Sequence, residues 1–201
     1  MRNKFRLTRI QNVNLVNEKI VDYVYNALIL ARYEIEYDEV APLLENNKRD
    51  NEVAIAADNF KNTFYHILNN PDEKADADFL LELHDMLMKD LNVGVKAELS
   101  EEQKEELAEM INQPAKSNTE IAISAMLFLL EKHLFSDGDV RISIMFANKI
   151  MIDHGCGVIT VSEYNKEKFR ELLKEFHQTR DYKKFKQWIF SKCISGMRVE
   201  Y

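Results

Sequence analysis

Apolar side chains recur at helical spacing along most of the chain. Over residues 12–32 they fall at Val13, Val16, Ile20, Val24, Ala27 and Leu28, which share one helix face. Residues 50–69 repeat the spacing with Val53, Ala57, Phe60, Phe64 and Ile67, and Pro71 follows as a stop. Residues 76–91 do so again with Phe79, Leu80, Leu83, Leu87 and Leu91. Between 92 and 99 the period drops to two, with Val93, Val95, Ala97 and Leu99 alternating, which predicts a small β-hairpin or an extended flap.

Two further helices are announced by their starts. Ser100 to Gln103 and Ser117 to Glu120 both read as capping boxes, in which a hydroxyl and a longer polar side chain satisfy each other's end of a helix. The second opens onto residues 121–130, apolar nearly all round, and a helix without a polar face belongs inside a protein. It runs into His133, breaks over residues 136–138, and a second apolar helix resumes through 142–152 until Gly155. A short extended piece at 158–161 leads to terminal helices over about 165–178 and 181–194. The expected fold is all-α, one domain over 1–201. Its core covers about 76–194, helices over 1–75 precede it, and a buried helix–loop–helix lies at its centre.

Composition supports this reading. Five Gly and three Pro in 201 residues favour long helices over a turn-rich β fold, and 46% hydrophobic residues can fill a sizeable core. A net charge of -7 argues against general nucleic-acid binding, which needs a basic surface, but not against a local phosphate site. Cys156 and Cys193 have no metal-like spacing and read as packed thiols in a reducing compartment. The basic start of the chain is not followed by a signal-peptide apolar run, and no stretch reaches transmembrane length. These features predict a cytoplasmic protein with no membrane or nucleic-acid partner.

The loop between the two buried helices carries the chemistry. A histidine, two carboxylates and a guanidinium at the ends of core helices must pair with one another or bind something charged, because a buried lone charge is costly. The helix beginning near Val140 offers backbone N–H groups and the positive end of its dipole. Gly138 permits close backbone approach, Arg141 supplies a fork for phosphate oxygens, and Asp137 is a hard oxygen ligand suited to Mg²⁺. His133, closing the preceding helix, is placed to accept a hydroxyl proton, while Phe135 buries its ring and turns the loop inward. Against this stand quieter readings: an ordinary turn with Asp139 as N-cap, or Arg141 paired with Asp137 or Asp139 as a self-neutralised bridge.

The string His133-Leu134-Phe135-Ser136-Asp137-Gly138-Asp139-Val140-Arg141-Ile142-Ser143-Ile144 resembles the Fic/Doc family signature, His-x-Phe-x-(Asp/Glu)-Gly-Asn-Gly-Arg-x-x-Arg. Five of its eight specified positions match: His133, Phe135, Asp137, Gly138 and Arg141. Asn148, the Gly155 stop and the closing aromatic helices are also family-like. The resemblance implies a helical protein that moves AMP from ATP to a hydroxyl of a target protein. In it His133 is the base and Asp137 holds Mg²⁺. Gly138, Asp139, Val140 and Arg141 form the phosphate seat, and Val93 and Val95 lie in a flap that holds the target's backbone. It also implies an antitoxin-like regulator and an inhibitory glutamate. Glu36 is the candidate for the latter; otherwise it is a helix-surface carboxylate.

Three departures bear on the reaction. Asp139 replaces Asn, and a second negative charge about 5 Å from a phosphate costs roughly 3 kcal/mol at an effective dielectric near 20. Val140 replaces Gly and stiffens the seat; the Doc branch, which phosphorylates, carries Lys there instead. Ile144 replaces the second Arg, which in the family commonly meets the γ-phosphate. The rival expectation is therefore a catalytically impaired Fic-fold protein that binds a nucleotide or a partner.

Overall fold

The computed structural model describes residues 1–46, 49–91, 98–135 and 138–197. Helix α1 (Arg9–Glu18) begins at a capping box formed by Thr8 and Gln11. Helix α2 (Ile20–Leu30) follows after Lys19, so the periodic stretch over 12–32 is two helices. No Gly or Pro marks this break. Asn12 of α1 is tied across the molecule, its amide exchanging hydrogen bonds with the backbone of Gly157 at 2.8 and 3.3 Å. Helix α3 (Tyr37–Asn46) holds Pro42 and was not foreseen from periodicity. Helices α4 (Glu52–Asn69) and α5 (Ala77–Met88) are capped by Asn51 and Asp76.

Helix α6 (Glu101–Ile111) starts at the expected Ser100–Gln103 capping box. Helix α7 (Asn118–Lys132) is capped by Ser117, but the box is incomplete because the Glu120 carboxylate pairs with the Met1 amino group at 2.5 Å. Every residue from 121 to 130 is buried, as an all-round apolar helix requires. Helix α8 (Asp139–Asp153) packs along α7, and helices α4, α5 and α1 close its other sides. At roughly 1.5–3 kcal/mol for each fully buried large apolar side chain, this pair is the most strongly held part of the molecule. The histidine therefore stands at the end of α7, and the glycine and the arginine at the start of α8.

Strand β1 (Val158–Ile159), helix α9 (Lys166–Thr179) and helix α10 (Tyr182–Lys192) complete the expected order. One element differs. The last helix, expected to run to about 194, ends at Lys192, and strand β2 (Ile194–Ser195) follows, paired antiparallel with β1 as Val158 with Ser195 and Ile159 with Ile194. The pairing is non-local, so helical periodicity could not reveal it. Asn148 of α8 fixes β1 from beneath by exchanging hydrogen bonds with the backbone of Ile159 at 2.7 and 2.9 Å. Of the flap expected over residues 92–99, residues 92–97, with Val93 and Val95, lie outside the described residues, and Glu98 and Leu99 belong to no helix or strand. No helix among the described residues is long and apolar enough to cross a membrane.

Gly155 stops α8 for two separate reasons. Its φ is +63°, and a Cβ there would lie 1.9 Å from the carbonyl oxygen of Leu7, whose own N–H donates to Gly155 O at 2.8 Å. Gly155→Ala is expected to destabilise the chain by about 2 kcal/mol or more and to loosen the N-terminal segment. Urea unfolding, with hydrogen exchange at Leu7, would check both effects.

Candidate active site

His133 is the C-cap of α7 and sits in the left-handed region at φ 47°, which directs its ring away from the core. Its side chain is 56% exposed. Nδ1 lies 3.1 Å from Asp139 Oδ2, and Nε2 lies 3.2 Å from His177 Nδ1 on α9. The two imidazoles stack, with centroids 4.5 Å apart. Two residues on, Phe135 is buried and stacks on the buried His84 of α5 at 4.8 Å, so the loop is anchored inward where the sequence predicts.

The N-cap of α8 is Gly138, not Asp139. A glycine N-cap supplies no side-chain acceptor for the amides of the first turn, and this frees the Asp139 carboxylate for other partners. Asp139 Oδ1 accepts the Phe135 N–H at 3.1 Å, and Oδ2 faces His133. Gly138 has φ +83°, and a Cβ would lie 2.9 Å from Met88 Sδ. The flexible Met88 side chain can yield, so it is the positive φ of the turn that favours glycine here.

One turn into α8, Arg141 Nη1 lies 3.5 Å from Tyr33 Oη, and that hydroxyl donates to Glu52 Oε1 at 3.4 Å. Burial raises the Tyr33 phenol above its ordinary value, with Arg141 drawing it back, so the hydroxyl stays a donor at neutral pH. Burial, and then the neighbouring His133, lower the proton affinity of His177 below its ordinary value, so that ring is neutral at neutral pH.

His133, Gly138, Asp139, Val140 and Arg141 line one open cleft of about 390 Å³, together with Arg32 and His177. Arg32 follows α2 in the left-handed region at φ 69°, and Ile29 O accepts its N–H. No pattern in the sequence marks Arg32 or His177 for this place. The only hint for His177 is its helical spacing from the apolar Leu173, which reaches the same cleft.

Ile144 does not line this cleft. It faces a small, mainly apolar cavity of about 20 Å³ beneath Arg141, beside Tyr23, Phe60, Phe64 and Thr160. An aliphatic side chain is at home there. Glu36, the candidate inhibitory residue, is exposed just ahead of α3, donates its N–H to Glu39 at 2.8 Å, and is not among the residues lining the cleft. Asp137 lies outside the described residues. Of the described cleft residues only Asp139 carries a carboxylate, and both its oxygens are engaged. The described set thus suits an anion and does not by itself make an oxygen-ligand site for Mg²⁺.

No family model and no curated protein matches the chain. Solved structures do. A fragment of Fic-1 from C. elegans superposes with a TM-score of 0.72 at 14% identity over 89% of this chain. A Fic domain containing signaling protein from Bacteroides thetaiotaomicron gives 0.68 at 14% over 92%. The chain has the Fic fold. A Fic family protein from Desulfovibrio desulfuricans agrees, with a TM-score of 0.70 at 12% identity over 91% of this chain. The chain spans 62% of the C. elegans fragment, 62% of the Desulfovibrio chain and 86% of the Bacteroides chain. Identity of 12–16% carries the fold and leaves the reaction to be argued from the cleft.

Proposed function

We propose that the chain is a Fic-type transferase that moves AMP, or a related nucleotide-derived phosphate group, onto a hydroxyl of a target protein. The observation that carries this reading is the convergence of His133, the N-terminal turn of α8 and two guanidinium residues, Arg32 and Arg141, on one cleft of a Fic fold. In the proposed step the target hydroxyl oxygen attacks the α-phosphorus of ATP and forms a P–O bond. The bond to the β-phosphate oxygen breaks, pyrophosphate leaves, and His133 takes the hydroxyl proton. Arg141, Arg32 and the first-turn amides of α8 hold the phosphates by charge and by the helix dipole. Mg²⁺ belongs to the proposal as the donor's companion with Asp137 as its ligand, where it would neutralise phosphate charge.

A second reading, a protein that binds a nucleotide or a partner without turnover, is favoured by one feature. His133 Nε2 is already engaged by His177, and Val140 and Ile144 depart from the signature around the seat.

Labelling separates the readings. The purified chain with Mg²⁺ and a lysate of its source cells would receive ATP labelled on the α-phosphate or, in parallel, on the γ-phosphate. Transfer from the α-phosphate alone is the expected result. Transfer from the γ-phosphate alone would replace AMP transfer by phosphorylation. If neither label moves but the melting temperature rises with nucleotide, the binding reading stands. A ligand at a hundred times its Kd adds about 2.7 kcal/mol to the native state. No transfer and no thermal shift with any nucleotide would remove both readings.

A further inference from the structure

The signature's amide is replaced here by a carboxylate, and the structure gives that carboxylate two donors. Asp139 Oδ1 takes the Phe135 N–H at 3.1 Å while Oδ2 faces His133 Nδ1 at 3.1 Å. An ionised carboxylate only accepts, so the bond to His133 requires the proton on Nδ1. A neutral imidazole protonated at Nδ1 carries its lone pair on Nε2, and Nε2 is the nitrogen that meets His177 Nδ1 at 3.2 Å. The two contacts on His133 are therefore ordered. Asp139 sets the tautomer, and the other nitrogen is left as an acceptor.

We propose that Asp139 is a positioning residue for His133, holding its imidazole as the Nδ1–H tautomer with Nε2 as the proton acceptor, and that His177 occupies Nε2 until a hydroxyl displaces it. The inference rests on the transferase reading for its catalytic consequence, but not for the tautomer.

Three features carry it. Asp139 is the fixed partner: its side chain is 17% exposed against 56% for His133, and it stands in the first turn of α8 with its own carbonyl accepting from Ser143 Oγ at 2.5 Å. The imidazole, at the end of α7 and mostly in solvent, would otherwise be free to turn. Second, asparagine cannot do the same work here. Its single oxygen could serve either Phe135 or His133, and its NH₂ would then confront the other N–H, two donors with no acceptor between them. Third, the negative charge that Asp139 brings to the mouth of the phosphate seat is turned toward His133. The charged and titratable groups sharing this face are His177 on α9 and Arg32 and Arg141 across the cleft; Arg180, after α9, also acts on His177.

The test begins on the full wild-type chain without nucleotide or target. Two-bond ¹H–¹⁵N correlation spectra report which ring nitrogen of each neutral histidine carries the proton, and the His133 signals are assigned by their loss in His133→Gln. At a pH where the ring is neutral, His133 is expected to be protonated at Nδ1 and unprotonated at Nε2. In Asp139→Asn it should shift toward the Nε2–H form that free histidine prefers. An Nε2–H tautomer in the wild type, or no change in Asp139→Asn, would overturn the proposal. If transfer is established, Asp139→Asn should lower kcat about tenfold or more while leaving the nucleotide-dependent thermal shift unchanged or larger. A higher kcat in Asp139→Asn would mean that the carboxylate only hinders phosphate binding, which also overturns the proposal. Failure of the labelling experiment would remove the transferase reading and leave the tautomer result intact, so the two failures are distinguishable.

Discussion

Alanine in place of His133 is expected to reduce transfer of the α-phosphate label by about 10²-fold or more while leaving the melting curve nearly unchanged. General-base catalysis contributes roughly 10²–10⁴-fold, and loss of the base removes that factor from kcat. The fold should tolerate the change because the side chain is 56% exposed and its partners, Asp139 and His177, stay where their own helices hold them. Stability should move by less than about 1 kcal/mol. The check is a paired measurement, initial labelling rates at saturating nucleotide beside urea unfolding. Nucleotide-dependent thermal shifts should survive in His133→Ala, since Arg141, Arg32 and the α8 amides remain. A variant that binds normally but transfers nothing is what separates a base from a residue that only shapes the cleft. Full retention of transfer would remove His133 from the role given to it.

The second large effect lies near the C-terminal end of α8. Lys149 is fully buried. Its ammonium pairs with Asp153 at 2.9 Å, donates to the carbonyl oxygen of Asn70 at 2.5 Å, and lies 4.9 Å from the centroid of the Phe79 ring. It thereby joins the C-terminal ends of α4 and α8 to the face of α5. Burial pushes the Asp153 carboxyl up from its ordinary value, and the Lys149 charge beside it pulls it back.

Lys149→Ala should therefore cost about 3–5 kcal/mol, the usual consequence of removing one partner of a buried ion pair. Lys149→Met is the informative companion. It keeps most of the volume and the contact with Phe79 but leaves the Asp153 carboxylate and the Asn70 carbonyl without their donor. Adding Asp153→Asn to Lys149→Met should recover part of the loss, and a double-mutant cycle in urea would read the coupling directly. Additive losses would mean that Lys149 contributes mainly through its methylenes.

These two residues mark what could and could not be read from the chain. His133 was legible because its signal is local: a histidine closing an all-apolar helix, with a phenylalanine, an acid, a glycine and an arginine at fixed spacing behind it. Lys149 lies in an equally apolar helix, yet nothing in its neighbourhood of sequence distinguishes a cation pointing to solvent from one seated beneath a neighbouring helix. The Asn70 carbonyl and the Phe79 ring that receive it come from segments about seventy residues away.

The sequence by itself determined the helical class, the buried 121–130 segment, the starts at Ser100 and Ser117, the stop at Gly155 and the anchoring of Phe135. Each of these follows from forces acting within a few residues: side-chain periodicity, the needs of helix-end amides, and the conformational range of glycine. Only the tertiary structure decided that the stretch over 12–32 is two helices and that residues 194–195 pair as a strand with 158–159. It alone brought Arg32 and His177 to the cleft, turned Ile144 toward an apolar cavity, and gave the Asp139 carboxylate to Phe135 and His133. Those outcomes depend on which helix ends meet in space. That is fixed by burying apolar faces against one another across the whole chain, a quantity no local window of sequence contains.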